Sequence, residues 1–106
     1  MDDVLTLLNV TTTKDARGVL HKSITSRDVF CKRQSVSRNE FFDGGRNGLN
    51  PEFVFTVFSA EYSGETLCKY NGLTYAIYRT YLADSDYVEL YVQREGGANG
   101  ITESNN

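Results

Sequence analysis

The sequence predicts a mainly β protein: a small antiparallel β-barrel or sandwich, the barrel preferred, with about six strands, a long first hairpin and one short helix or plug loop. Three observations carry that expectation. Runs rich in β-branched and aromatic residues recur along the chain, turn residues separate them, and one Asn-Gly pair falls between two of the runs. Only Ser37 to Glu52 departs from the pattern, with a helix-start signature followed by glycines and the single proline.

The first strand is read from Val4, Leu5, Leu7, Leu8 and Val10, which flow into Thr11-Thr12-Thr13. Lys14-Asp15-Ala16-Arg17-Gly18 then supplies turn residues. The return limb runs from Val19 through Val36 with Val29-Phe30-Cys31 as its most apolar point. Its polar content predicts a long, exposed ribbon that joins the barrel only partway along. Phe53 to Phe58 is a near-continuous apolar run, which predicts a core strand buried on both faces.

Tyr62-Ser63-Gly64-Glu65 turns the chain into Thr66 to Tyr70, and Asn71-Gly72 closes a tight hairpin because both central residues of a type I′ turn need positive φ. In the next strand, Leu73 to Leu82, strict alternation puts Tyr75, Ile77, Arg79 and Tyr81 on one face and Thr74, Ala76, Tyr78 and Thr80 on the other. After a polar loop at Ala83-Asp84-Ser85-Asp86, the strand Tyr87 to Arg94 alternates cleanly. Val88, Leu90 and Val92 point inward, with Tyr87, Glu89, Tyr91 and Gln93 outward.

The 106 residues make a single domain over 1–95, with 96–106 expected as a flexible tail. No apolar run approaches the length of a membrane-spanning helix, and the opening Met1-Asp2-Asp3 is acidic where a secretory signal begins basic. A soluble, cytoplasmic protein is expected. The net charge of −3, with the basic residues taken as scattered, argues against sequence-specific DNA binding. Cys31 and Cys68 form no CxxC pair and are read as reduced thiols filling strand positions, and His21 is read as a surface residue; no metal or cofactor is expected.

Candidate chemistry fares poorly. Glu40 and Asp43 lie three apart on the predicted helix with nothing in the sequence to separate their acidities, so both are read as solvated carboxylates. The glycine-rich Asp43-Gly44-Gly45-Arg46-Asn47-Gly48 lacks the flanking strand, helix and Lys-Ser/Thr ending of a phosphate loop. Asp84, Asp86 and Glu89 lack the glycine and terminal glutamate of a calcium loop. Seven tyrosines and six phenylalanines could stack bases, but such platforms come with a basic groove. No enzymatic activity is expected.

Ser37-Arg38-Asn39-Glu40 has the form of a capping box, which starts a helix at Arg38. Asn47-Gly48 and Pro51 stop it. Gly44-Gly45 together weaken it by roughly 2 kcal/mol relative to alanine, so a frayed or conditional helix is expected.

The order of these parts resembles the head-closure (head-completion, or stopper) proteins of long-tailed bacteriophages, a small-barrel family also called head-tail adaptors. The resemblance covers most of the chain. It rests on Glu40-Phe41-Phe42, on Gly48-Leu49-Asn50-Pro51-Glu52 leading into a core strand, on "YNGLTYAIYRTY" from Tyr70 to Tyr81 and on "YVELYV" from Tyr87 to Val92.

It implies a structural virion protein in the neck between capsid and tail, assembled in the host cytoplasm. The chain would form a homo-oligomeric ring below the adaptor ring under the portal, retain packaged double-stranded DNA without reading its sequence, and offer a docking surface to the tail terminator or tail-completion protein. The segment Val36 through Pro51 would project toward the channel, with Glu40, Phe41, Phe42, Asp43, Gly44, Gly45, Arg46, Asn47 and Leu49 as the plug element. Family members more often carry helix formers where Gly44-Gly45 stand, so this chain's plug would melt and rearrange when the tail docks. Lys14, Asp15 and Arg17 at the hairpin tip, with Tyr81, Tyr87 and Tyr91, are the expected contacts within or between rings. A tail terminator or other neck ring component is the nearest alternative, and a single-strand nucleic-acid-binding barrel a more distant one.

Overall fold

A computed structural model describes residues 2–95; the expected tail at 96–106 lies outside the described residues. Six antiparallel strands close into a barrel: β1 (Asp3–Lys14), β2 (Leu20–Ser35), β3 (Pro51–Phe58), β4 (Leu67–Tyr70), β5 (Leu73–Leu82) and β6 (Tyr87–Arg94). Around the wall they run β1-β2-β3-β6-β5-β4, with β4 returning to β1. One helix, α1 (Arg38–Arg46), links β2 to β3, and a single 3-10 turn, Ser59–Glu61, follows β3.

The interior is filled by alternate residues of every strand. Leu5, Leu7, Val29, Cys31, Phe55, Val57, Cys68, Tyr70, Tyr75, Val88, Leu90 and Val92 form one cluster. Phe55 is its centre, with its ring centroid 5.0 Å from that of Tyr70 and 6.3 Å from that of Tyr75. The Arg33 guanidinium lies 4.8 Å from the centroid of the Phe53 ring, which adds a cation–π contact to the apolar packing. Burial raises the thiols of Cys31 and Cys68, to about 11 and about 12, and both cysteines are free and buried.

The Asn-Gly hairpin forms as read, with Asn71 at φ 52° and Gly72 at φ 78° between β4 and β5. β6 alternates as read, with Val88, Leu90 and Val92 buried. β3 is buried on both faces only in part: Phe55 and Val57 face the core and Val54 is buried behind them, whereas Phe58 is exposed. α1 packs against β3.

β5 departs from strict alternation. Ile77 pairs with Val92 and Arg79 with Tyr91, so Tyr78 is an extra residue opposite β6, a bulge. Beyond it the parity flips. Tyr75 and Ile77 share the inward side with Val92, but Thr80 and Leu82 now stand opposite Leu90 and Val88, and Arg79 and Tyr81 turn outward. Composition alone could not reveal the bulge, because Tyr78 and Arg79 suit either face.

The long hairpin is real. β1 and β2 pair without a break from Asp3↔Cys31 to Lys14↔Leu20, yet β1 meets β4 only at Thr6 to Leu8 and β2 meets β3 only at Lys32 to Ser35. From Asn9 and Thr25 outward the two strands have only each other, and all their residues are exposed. This ribbon gives the molecule its long axis of 49 Å against 31 and 23 Å.

Candidate functional site

α1 begins as its capping signature predicts. Ser37 has extended backbone, and its Oγ accepts a hydrogen bond from the Glu40 N–H at 3.1 Å. The reciprocal half of the box is diverted. The Glu40 carboxylate reaches across to β5, where it accepts from the Tyr78 hydroxyl at 2.5 Å and from the Arg79 guanidinium. The bulge is what allows this, since it lets two consecutive side chains of β5 meet one carboxylate.

Glu40 is therefore no solvated carboxylate; its side chain is 15% exposed, and it ties the helix to the barrel wall. Arg79 also lies over the Tyr91 ring, 3.9 Å from its centroid, and the Tyr91 hydroxyl donates to Glu89 at 2.8 Å. Burial, and then the Glu40 carboxylate that accepts its hydrogen bond, raise the pKa of Tyr78 well above the phenolic range. Desolvation works to lower Arg79, but hydrogen bonding and charge from Glu40, with Tyr91 behind them, raise it overall. Asp43, by contrast, is exposed as read, with only Arg46 nearby at 3.7 Å.

The far end of α1 closes in a Schellman arrangement. Gly48 donates to Gly45 O at 3.2 Å and Leu49 to Gly44 O at 2.8 Å, with Gly48 at φ +80°. Both ends are thus satisfied by hydrogen bonds. The two glycines differ in purpose. Gly44 is buried, and a Cβ there would stand 2.4 Å from Pro51 Cγ, so it is glycine because β3 begins against it. Gly45 faces open space and carries the conformational weakness alone.

Phe41 and Phe42 stand on the solvent side of α1, 53% and 56% exposed, with rings edge to face at 5.8 Å. Of the nine plug residues read from the sequence, Glu40, Gly44 and Leu49 turn toward the barrel, whereas Phe41, Phe42, Asp43, Gly45, Arg46 and Asn47 are exposed.

The expected interface residues do not form one patch. Lys14, Asp15 and Arg17 sit at the ribbon tip, where Asp15 accepts from the amides of Arg17 and Val19, both at 2.9 Å, and pairs with His21 Nε2 at 2.9 Å. The His21 contact first, then the Val19 amide, hold the Asp15 carboxyl below its usual range. On the barrel itself, Tyr87 stacks on Phe58 at 5.2 Å and Tyr91 is engaged by Arg79, leaving Tyr81 as the exposed tyrosine of the three.

Two residues escaped the sequence reading. Glu65 is 8% exposed, and its carboxylate accepts from Arg27 at 3.0 Å and from the Ser63 amide at 2.9 Å. Arg27 also donates to Glu61 O, so one guanidinium staples the loop after β3 to the base of the ribbon. Nothing in the local sequence signals a pair 38 residues apart.

Among the described residues no group of three or more His, Cys, Asp or Glu could hold a metal ion, and no helix is long and apolar enough to cross a membrane. No protein-family model matches the chain, and neither does any curated protein.

Proposed function

We propose that the chain is a neck component of a long-tailed bacteriophage virion, a ring-forming stopper that closes the portal channel behind packaged DNA and offers the tail its docking surface. One observation carries the reading: a short helix presents two exposed aromatics, Phe41 and Phe42, packs against β3 at Gly44, and makes its side-chain hydrogen bonds to β5 through a single carboxylate, Glu40. Such an element can leave its wall by breaking one polar cluster and the small Gly44–Pro51 contact while the barrel stays intact, which is the property a channel plug needs.

The exposed residues are what distinguish a plug from a passive loop. A helix whose only task was to join β2 to β3 would gain nothing by exposing two phenylalanines. Gly45 keeps the helix easy to unwind, and the Glu40 cluster holds it in the resting state.

The nearer alternative, a tail terminator or other neck ring, shares the barrel and the ring logic. The single-strand nucleic-acid reading loses ground, because seven of the eleven basic residues lie between Lys14 and Arg38, a stretch whose only aromatic is Phe30. Electron microscopy of capsids assembled without this chain tests the proposal. Emptied heads are expected; stable, full heads that fail to take tails would overturn the stopper reading in favour of a tail-side component. Filter binding with single-stranded DNA at low salt should show negligible retention.

A further inference from the structure

The ribbon is amphipathic in an unusual sense. Cross-strand partners share a face, and the face that lines the core at Leu5↔Val29 turns polar outside the barrel, at Asn9↔Thr25, Thr11↔Ser23 and Thr13↔His21. The other face, solvent-facing throughout, carries Val4↔Phe30, Val10↔Ile24 and Leu20 opposite Lys14. Ile24 and Leu20 are 66% and 65% exposed, and Val19 beside the tip is half exposed.

Charge is divided just as sharply. Residues 14–38 hold seven Lys and Arg against two Asp, a net of +5, whereas the rest of the chain holds four bases against twelve acids, a net of −8. At the end of the barrel where the ribbon leaves, a hollow has a floor of stacked Phe58 and Tyr87 and a rim carrying Ala60, Glu61, Ser85 and Asp86. Its two sides are tied together, since Ser59 donates to Asp86 O at 2.8 Å and, through Oγ, to Ser85 O at 2.9 Å. Tyr81 and Leu82 add exposed apolar surface close by on β5.

From these complementary surfaces we infer that the basic, apolar ribbon tip, Lys14 to Lys22, seats in the acidic, aromatic hollow of a second copy of this chain. Val19 and Leu20 meet Phe58 and Tyr87, and Lys14, Arg17 and Lys22 meet Glu61 and Asp86. A chain cannot fill its own hollow. Arg27 touches Glu61 beside it, and the tip at Gly18 lies nine residues further out along the hairpin, about 30 Å at roughly 3.3 Å per residue. The contact deepens the ring reading by naming the surfaces that would join neighbours, but it stands on its own observations.

The test places one cysteine at each surface of the full chain, Arg17→Cys in one sample and Ala60→Cys in the other, and mixes them under mild oxidation. Cys31 and Cys68 are fully buried, so they stay silent. A covalent species needing both new cysteines is expected. Reversing the tip charges with Lys14→Glu and Lys22→Glu should cut its yield about tenfold, as should Glu61→Lys with Asp86→Lys, and combining the two reversals should restore it.

Absence of the cross-link, or equal yield in every charge variant, overturns the docking. So does binding of duplex DNA that the tip reversal abolishes while no cross-link forms, since the ribbon would then be a phosphate-binding arm. A chain carrying both cysteines separates this inference from the ring: a ladder beyond two chains agrees with both, whereas pairs that never grow keep the docking and overturn the ring.

Discussion

At the scale of single residues, Glu40 decides whether α1 is a fixture or a movable part. It holds the Tyr78 hydroxyl and the Arg79 guanidinium at once, and its side chain is mostly withdrawn from water. Glu40→Gln keeps the shape and removes the charge, so the loss should be about 1–2 kcal/mol, between an exposed ion pair and a charged hydrogen bond. Amide exchange should locate that loss in α1. Faster exchange across Arg38–Arg46 with the barrel strands unchanged is the expected pattern; uniform acceleration would mean that Glu40 supports the whole fold and not a detachable helix.

The neighbouring glycines separate packing from flexibility. Gly45→Ala meets open space and should stabilise by about 0.5–1 kcal/mol, the usual helix-propensity gain. Gly44→Ala drives a methyl into Pro51 and should destabilise by about 1–3 kcal/mol. Urea unfolding of the two single variants reads opposite signs. If both stabilised, the close approach of Gly44 to Pro51 would be wrong.

At the scale of elements, what the sequence made legible was local. Ser37 caps α1, Asn47-Gly48 ends it, and Asn71-Gly72 turns a hairpin because each signal is chemistry contained within a few residues. What it hid was pairing across the fold. Glu40 looked solvated because Tyr78 and Arg79 lie 38 and 39 residues away, and they arrive together only through a bulge that no composition marks. Gly44-Gly45 looked like one hinge because Pro51's approach is tertiary. The basic residues looked scattered along the chain, although the β1–β2 hairpin gathers six of the eleven.

At the scale of the whole molecule, burial of weak acids makes the barrel vulnerable to alkali. Burial raises the thiols of Cys31 and Cys68 from 9.0 to about 11 and about 12, and the hydroxyls of Tyr70 and Tyr75 above 10.0. A group whose pKa is higher folded than unfolded contributes stability that is complete below the unfolded value and is lost as pH climbs through the folded one. Stability should therefore fall progressively above about pH 9, with tyrosinate absorbance growing together with the loss of β circular dichroism. Equal melting temperatures at about pH 8 and about pH 11 would contradict the buried placement of these groups.

The same scale separates the barrel from its arm. The core cluster draws on Leu5, Leu7, Val29 and Cys31 from the hairpin and on nothing between Asn9 and Thr25, so the outer ribbon contributes almost no buried apolar surface to the fold. Asn9 and Thr25 face each other across the ribbon, which lets a two-residue Asn-Gly turn replace everything between them without disturbing register. The shortened chain should keep its barrel, melting within about 5 °C of the intact protein, because a domain of this size shifts that little for less than about 1 kcal/mol. It should also lose every self-association that depends on the tip. Unfolding of the shortened chain would show that the ribbon helps to build the barrel; an intact barrel that still assembles would move the contact between copies elsewhere. An intact barrel that no longer assembles is what a separable docking arm requires, since the residues that fold the molecule and those that join it to its neighbour are then different residues of the same hairpin.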